Sequence, residues 1–268
     1  MSRPVRFRRT ACAVTGLLMW ATVLPAFTDS ASAVSRATTA NGQGDLIVVG
    51  DSLMEGSSVY GRLASQVTAL RTWTTVTVDY RRGRKTSESY SVVDRRLTAA
   101  KNPTALVIAL GTNDMISHSE TSWPARVIDR MMIEAAGLPV LWVTVTFNGA
   151  VHPDWKLRAA RFNRALRAAR TEWPNLYVAE WSTYFVPKGA SRYIADGIHL
   201  TVSGYRTRAS WLTTQIKSFG TTIINATTTT STTTPAPTTT PTTTTMPTVT
   251  TISAVTTTST TTPAPTTT

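Results

Sequence analysis

One serine of this sequence stands where a nucleophile could be exposed. The stretch "LIVVGDSLMEGSS" begins with the apolar residues 46–49, whose mostly β-branched side chains predict a buried strand. Gly50 permits a tight turn, and Ser52 then lies at the start of a predicted helix, where free backbone N–H groups point outward. The same position suits an ordinary helix N-cap, so this stretch alone leaves both interpretations open.

A serine needs a base before it becomes nucleophilic, and the chain has three histidines. His199 follows Asp196 by three residues in "ADGIHLT", and a turn of that length can bring the carboxylate against the imidazole and fix its tautomer. His118 and His152 have no comparable partner nearby in the sequence, although either remains a candidate for lining the pocket. Taken alone, the pattern of Asp196 and His199 also fits a plain surface turn.

Acyl chemistry also requires hydrogen-bond donors for a developing oxyanion. Asn113 in "GTND" offers a side-chain amide at the end of a predicted strand, and Gly83 in "YRRGRKT" offers an unhindered N–H. The backbone N–H of Ser52 would be the third donor. Alternatively, Gly83 only makes a turn and Asn113 only holds its loop, although their joint placement favours the first interpretation.

The elements that must position these residues alternate between strands and helices. The predicted strands are residues 46–49, 74–79, 105–110, 140–146 and 176–179. The predicted helices are residues 54–70, 87–100, 155–173 and 202–219, with one more beginning at 122–124. The alternation predicts an α/β fold with five parallel strands in a three-layer α/β/α domain, whose site lies beyond the carboxyl ends of the strands.

Two further groups of side chains each allow two interpretations. Aromatic residues crowd two predicted rim loops, where they stack on sugars, line an acyl pocket or simply pack against the fold; they are Phe147, Trp155, Trp181, Tyr184 and Phe185. Arginines recur along the 155–173 helix, where we favour a solvated flank over a binding face; they are Arg158, Arg161, Arg164, Arg167 and Arg170.

Taken together, the motifs resemble the ordered blocks of the SGNH, or GDSL, hydrolase superfamily. The resemblance spans residues 45–219 and rests on the segments 50–53 (GDSL), 111–114 (GTND) and 196–199 (DGIH), with Gly83 as a looser block. It implies Ser52 as the nucleophile, His199 as the base and Asp196 as its orienting partner. It also implies an oxyanion hole made by Ser52, Gly83 and Asn113.

The resemblance further implies a flavodoxin-like strand order and a reaction without a metal or other cofactor. Asp51 and Asp114 fit the same motifs, and we expect them to hold backbone turns rather than to take part in catalysis.

Three functions are compatible with this sequence, and the first is favoured. It is a serine esterase that removes acyl groups, such as acetyl, from a carbohydrate or lipid ester. The second is an O-acyltransferase that passes the acyl group to a cell-wall glycan, because "DGIHLT" is similar to a block of peptidoglycan O-acetyltransferases. The third is a wall-binding module without catalysis, which would not require a complete triad.

The ends of the chain predict export and a polar spacer. Residues 1–33 have the basic start, apolar centre and small-residue end of a signal peptide, with a membrane anchor as the alternative. Cys12 is the only cysteine and lies in this segment, so the mature chain would contain neither a disulfide nor a cysteine nucleophile. We predict a short linker at 34–43, the hydrolase domain at 44–220 and a disordered Thr/Pro-rich tail at 221–268.

The net charge of the chain and its predicted export indicate which class of partner it binds. The formal charge of the chain is +12, and removal of four arginines and Asp29 with residues 1–33 leaves +9. This charge favours acidic polymers such as cell-wall polysaccharide, and no motif indicates nucleic-acid binding. We therefore expect a secreted or wall-associated monomer with an ester substrate and no stable membrane span after signal cleavage.

Overall fold

The computed structural model describes residues 44–231. The predicted signal peptide, the predicted linker and residues 232–268 of the tail lie outside this range. No helix within the described range combines the length and apolarity that a membrane span requires.

A single sheet of five parallel strands forms the centre of the fold. The strands are β1 (Asp45–Gly50), β2 (Thr75–Tyr80), β3 (Pro103–Ala109), β4 (Val140–Val143) and β5 (Leu176–Ala179). Their order across the sheet is β2-β1-β3-β4-β5, which confirms the flavodoxin-like order. Every residue of β1 is buried, as expected for a central parallel strand covered on both faces.

Eight α-helices cover the two faces of the sheet within the described residues. They are α1 (Ser52–Val59), α2 (Leu63–Ala69), α3 (Tyr90–Ala99), α4 (Thr112–Ser117), α5 (Trp123–Glu134), α6 (Pro153–Ala168), α7 (Trp181–Phe185) and α8 (Val202–Ser231). Helices α1, α2, α7 and α8 pack with Leu46 and Val48 on one face, while α3 to α6 pack with Ile47 and Val49 on the other. The alternation of side chains along β1 therefore divides the core into two layers, and the predicted three-layer fold is confirmed.

The predicted helix over 54–70 is two helices with a break between them. Arg62 has a left-handed backbone (φ 54°), and α2 begins immediately after it. At Gly61 the chain passes so close to α8 that a Cβ atom would come within 2.3 Å of the Ala209 side chain. The apolar periodicity continues through the break because both helices pack against α8, so it carries no signal of the interruption.

Other boundaries also differ from the prediction. Strand β4 ends at Val143 instead of residue 146, because the side-chain amide of Asn163 on α6 bonds both the N–H and the carbonyl of Val145 (2.9 and 2.8 Å). The short helices α4 and α7 lie in segments predicted as loops. Helix α8 continues past Gly220, and Ile223 is buried in the core, so the predicted domain end at Gly220 and tail start at residue 221 are too early.

Candidate active site

The site forms where three strands of the sheet end side by side. Ser52 is the first residue of α1, directly after β1, and Asn113 lies in the first turn of α4, after β3. Gly83 lies in the segment that follows β2. Because β2, β1 and β3 are neighbours and parallel, the sheet brings the three segments to one edge.

Ser52, His199 and Asp196 form one chain of hydrogen bonds. The Nδ1 atom of His199 lies 2.6 Å from Asp196 Oδ2, and its Nε2 atom lies 2.8 Å from Ser52 Oγ. A carboxylate oxygen only accepts, so the proton of the neutral ring is on Nδ1 and Nε2 is free to accept from the serine hydroxyl. This is the arrangement that a general base requires before it activates a nucleophile.

The Asp196 carboxylate is held by its own turn. Its Oδ1 atom accepts hydrogen bonds from the backbone N–H groups of Ile198 and His199, both at 2.9 Å. Partial burial acts to raise the pKa of Asp196, but the hydrogen bonds from the His199 ring and from these two N–H groups outweigh it. The pKa is lowered, and the carboxylate therefore stays ionised beside the imidazole at neutral pH.

The side-chain amide of Asn113 connects the segments on either side of the serine. Its Nδ2 atom donates to the Arg84 carbonyl (3.1 Å) and makes a longer contact with Asp51 Oδ2 (3.4 Å). Gly83 directly precedes Arg84 and has a positive φ of 70°. The three predicted oxyanion donors, the third being the Ser52 backbone N–H, thus belong to adjoining segments.

Sequence reasoning missed Arg84, whose hydrogen bonds hold the segment containing Gly83 against the ends of β1 and β2. Its guanidinium donates to the carbonyls of Gly50 and Asp79, both at 3.2 Å, and to Asp79 Oδ1 at 2.6 Å. Arg84 and Asp79 are both buried, and Arg96 also donates to Asp79 (2.7 Å). Burial acts to raise the pKa of Asp79, but the two arginines outweigh it and the pKa is lowered. Nothing in the sequence around Arg84 indicates these contacts, because Gly50 lies 34 residues away along the chain.

Both motif aspartates are buried; Asp51 holds a turn, as the sequence predicts, whereas the side chain of Asp114 bonds to more distant segments. Asp51 caps α1 by accepting the Leu53 N–H at 2.9 Å. Burial raises the pKa of Asp51, although the Leu53 N–H and the charge of the buried Arg208 act in the opposite direction. Asp114 accepts hydrogen bonds from the backbone N–H and hydroxyl of Thr86 and from the Trp123 ring, and thereby joins three segments.

A groove runs from the serine along α1. Its volume is about 460 Å³, and we call it the apolar groove. It is lined by one face of α1, by Arg82 and by the segment around the start of α8: Ser52, Glu55, Gly56, Val59, Tyr60, Arg82, Ile194, His199, Leu200, Thr201, Val202 and Tyr205. Glu55 and Arg82 form an ion pair of 2.7 Å beside the serine, while Val59 and Val202 are exposed.

The aromatic residues of the predicted rim loops mainly pack. Phe147, Trp181 and Phe185 are almost fully buried, which contradicts a role for these three in stacking on sugars. Trp155 lies against the ring of His152, with centroids 3.8 Å apart. His152 is the second residue that sequence reasoning missed, because its Nε2 atom lies 2.7 Å from the backbone carbonyl of Asp196, 44 residues away.

No group of three or more His, Cys, Asp or Glu residues among residues 44–231 is arranged to hold a metal ion. The hydrogen-bonded serine, histidine and carboxylate can perform acyl transfer through the serine oxygen.

Comparisons with known proteins concern the family and the fold. The model of the GDSL-like lipase/acylhydrolase family matches residues 48–207, which is more than half of the chain. No curated protein was found to match.

Several solved structures share the fold. A lipase/acylhydrolase from Enterococcus faecalis is 18% identical, with 66% of this chain and 96% of that one covered at a TM-score of 0.57. A G-D-S-L family lipolytic protein from Veillonella parvula is 18% identical (63% and 95% covered, TM-score 0.54). The C-terminal catalytic domain of peptidoglycan O-acetyltransferase A from Streptococcus pneumoniae is 13% identical (66% and 94%, TM-score 0.52). At these identities the likeness establishes the fold alone.

Proposed function

The chain belongs to the GDSL-like lipase/acylhydrolase family, and from this premise we propose that it is a secreted serine esterase. It hydrolyses acyl esters of a carbohydrate or lipid through an acyl-enzyme on Ser52. The observation that carries the proposal is the hydrogen-bonded sequence from Ser52 Oγ through His199 to Asp196, at 2.8 and 2.6 Å.

In the first half of the reaction, the Ser52 oxygen attacks the ester carbonyl while His199 Nε2 takes the hydroxyl proton. The ionised Asp196 stabilises the imidazolium that forms and keeps the ring in the orientation that faces the serine. The negative charge that develops on the carbonyl oxygen is stabilised by the N–H groups of Ser52 and Gly83 and by the Asn113 amide. The alcohol leaves with the proton from His199, and the acyl group remains on Ser52.

In the second half, His199 takes a proton from water, and the resulting hydroxide attacks the acyl-enzyme carbonyl. The same donors hold the second oxyanion, and His199 returns its proton to Ser52 as the acid is released. Both halves require that His199 gains and loses a proton while the Asp196 carboxylate stays ionised. The lowered pKa of Asp196 supports the second requirement.

The apolar groove supports an ester with an apolar part longer than an acetyl group. Ser52, Glu55, Gly56, Val59 and Tyr60 follow one face of α1, so the groove extends about 12 Å from the nucleophile at 1.5 Å per residue. Val59 and Val202 are both exposed and line this one groove, and exposed apolar side chains that form a contiguous patch mark binding sites. An acetyl group would contact only the end of the groove next to Ser52.

A second candidate function is transfer of the acyl group to a sugar hydroxyl. The fold is shared with the catalytic domain of a peptidoglycan O-acetyltransferase, which favours this candidate. The acyl-enzyme is common to both reactions, and only the acceptor in the second half differs. We favour hydrolysis because its acceptor is water, so no second substrate has to be bound. Secretion and contact with cell-wall polysaccharide remain part of the proposal through the signal-like residues 1–33 and the basic charge.

The test uses the mature chain from residue 34 with p-nitrophenyl acetate, butyrate and octanoate, beside Ser52→Ala. We expect release of p-nitrophenol from the wild type and loss of at least about 1,000-fold in kcat in the variant. Acetylated xylan and peptidoglycan oligomers are added in parallel as acceptors. Free acid as the product regardless of sugar supports the esterase, whereas acyl groups on the sugar support the transferase. Absence of serine-dependent release from every ester contradicts both and favours a wall-binding module.

A further inference from the structure

The segment between β4 and α6 holds the backbone of the turn that carries Asp196 and His199. We call residues 148–152 the support loop and residues 196–199 the catalytic turn. The Asn148 N–H donates to the Gly197 carbonyl at 2.9 Å, and His152 Nε2 lies 2.7 Å from the Asp196 carbonyl. Two consecutive carbonyls of the catalytic turn are thus bonded to the support loop.

The approach of the two segments leaves no space for a side chain at residue 197. A Cβ atom on Gly197 would come within 2.8 Å of Val151 Cβ, and the residue has a positive φ of 67°. The support loop is itself closed, because the N–H groups of Val151 and His152 both donate to the Asn148 carbonyl (3.1 and 2.9 Å). The catalytic turn therefore packs against a loop that is closed by its own hydrogen bonds.

The chemistry of the His152 contact favours positioning over proton transfer. A backbone carbonyl only accepts, so His152 Nε2 carries a proton and donates it to Asp196. This bond is present in the neutral Nε2–H tautomer and in the imidazolium alike. The histidine does not need to change its charge to hold Asp196, and it makes no contact with Ser52.

Aromatic contacts that lead to the hydrophobic core hold the His152 ring in its orientation. Its ring stacks on Trp155, one turn further along the chain, with centroids 3.8 Å apart and an interplanar angle of 22°. Trp155 in turn contacts Phe147, which is almost fully buried (centroids 5.7 Å apart). Contacts thus extend from the core through Trp155 and His152 to the carbonyl of the residue whose carboxylate orients His199.

We propose that His152 is a positioning residue, which holds the Asp196 carboxylate in line with His199 through the bond to the Asp196 carbonyl. The proposal rests on the proposed esterase function. A misplacement of about 1 Å in a catalytic group can lower the rate by about 100-fold. His152 touches only the backbone of the turn, and loss of its bond should shift Asp196 by less than that.

His152→Phe and His152→Gln separate the hydrogen bond from the stacking. Phenylalanine keeps a ring for Trp155 but removes the donor, while the amide nitrogen of glutamine can take the place of Nε2. With the mature protein and p-nitrophenyl butyrate, we expect His152→Phe to lower kcat about 10-fold with KM within about twofold. His152→Gln should recover most of kcat, and the melting temperatures of both should stay near the wild-type value.

His118→Phe is the matched control. His118 also stacks on a tryptophan (Trp123, centroids 3.5 Å apart), but its ring faces Glu120 and not the catalytic turn. This variant should leave kcat and KM unchanged. The proposal is overturned if His152→Phe behaves like His118→Phe. It is also overturned if both His152 variants lose activity and melting temperature equally, because that pattern indicates a merely structural role.

A second readout does not depend on turnover. The proton shared by His199 Nδ1 and Asp196 should give a low-field NMR resonance in the resting protein. We expect this resonance to be lost or shifted in His152→Phe and retained in His152→Gln; an unchanged resonance in His152→Phe contradicts the inference. If the wild type hydrolyses no ester, the proposed function fails, and the resonance alone then decides whether His152 positions Asp196.

Discussion

The side-chain amide of Asn113 lies 3.4 Å from the carboxylate of Asp51, nitrogen to oxygen, on the side of Asp51 opposite to the Leu53 N–H. One buried carboxylate thus contacts both the helix that begins at Ser52 and the amide predicted to stabilise the oxyanion. The same carboxylate is the counter-charge of Arg208, whose pKa burial lowers to about 10. The nucleophile and a candidate oxyanion donor are therefore held by a single side chain.

Asp51→Asn should lower kcat/KM for p-nitrophenyl butyrate by about 10-fold, because a donor that is left without its acceptor costs about 1–3 kcal/mol. Asparagine is as good an N-cap as aspartate, so α1 keeps its cap, but an amide nitrogen then replaces the oxygen that faces the Asn113 amide and cannot accept from it. The exposed Glu172→Gln removes one negative charge far from Ser52 and serves as the control. Equal kcat/KM in the two variants would contradict a role for Asp51 in orienting Asn113.

Asp79→Asn should reduce the free energy of unfolding at pH 7 by about 3–5 kcal/mol, because it leaves the buried Arg84 without its carboxylate. The pKa of Asp79 is lowered in the folded state, so its contribution is fully present above the unfolded pKa, about 3.9. That contribution is lost as the pH falls through the folded value. Urea unfolding of both proteins from pH 7 to pH 3 should therefore show a constant difference above about pH 5 that shrinks below about pH 4. A difference that grows on acidification would be inconsistent with this account.

Val59→Trp should fill the far end of the apolar groove and change chain-length preference. Each methylene that is buried in the groove contributes at most about 0.8 kcal/mol, or about fourfold in kcat/KM. We expect the ratio of octanoate to acetate kcat/KM to fall about 10-fold or more in the variant. Leu157→Trp, which enlarges an exposed side chain on α6, is the control and should leave the ratio unchanged. An equal octanoate-to-acetate ratio in wild type and Val59→Trp would show that the acyl chain of the substrate does not lie along α1.

Gly197→Ala should lower kcat by disturbing the catalytic turn. Alanine at a positive φ costs about 1 kcal/mol, and here its methyl group would also collide with Val151. Gly137→Ala has a similar backbone strain (φ 81°) but no atom within 4 Å of the new methyl group. Steady-state kinetics and thermal melting of both variants separate the effect of backbone strain from that of a displaced catalytic turn. Both variants should have a lower melting temperature, and only Gly197→Ala should have a lower kcat.

A mature chain that ends at Gly220 should be less stable than one that ends at Asn225. The shorter chain lacks Ile223, which lies on α8, is 7% exposed and belongs to the core. Burial of an isoleucine side chain is worth about 1.5–3 kcal/mol, so the difference should be visible in guanidinium unfolding. Equal midpoints for the two chains would place the end of the folded domain at Gly220 after all.

The sequence by itself determined the features that depend on neighbouring residues. The apolar run before Gly50 predicts β1, and the three-residue spacing of Asp196 and His199 predicts a turn in which the carboxylate can reach the ring. Strand and helix patterns of this kind are local, because a strand or a helical turn needs only a few consecutive residues of suitable type. The five strands and the placement of Ser52 at the first turn of α1 were therefore predictable.

Only the tertiary structure decided which distant segments brace that site. His152 bonds Asp196 across 44 residues, and Arg84 bonds Gly50 across 34. The break at Arg62 and the end of β4 likewise depend on contacts with α8 and with Asn163. Each of these contacts is set by how close two loops or helices come once the sheet has formed. No pattern within either segment encodes that distance, because it depends on the packing of the whole domain.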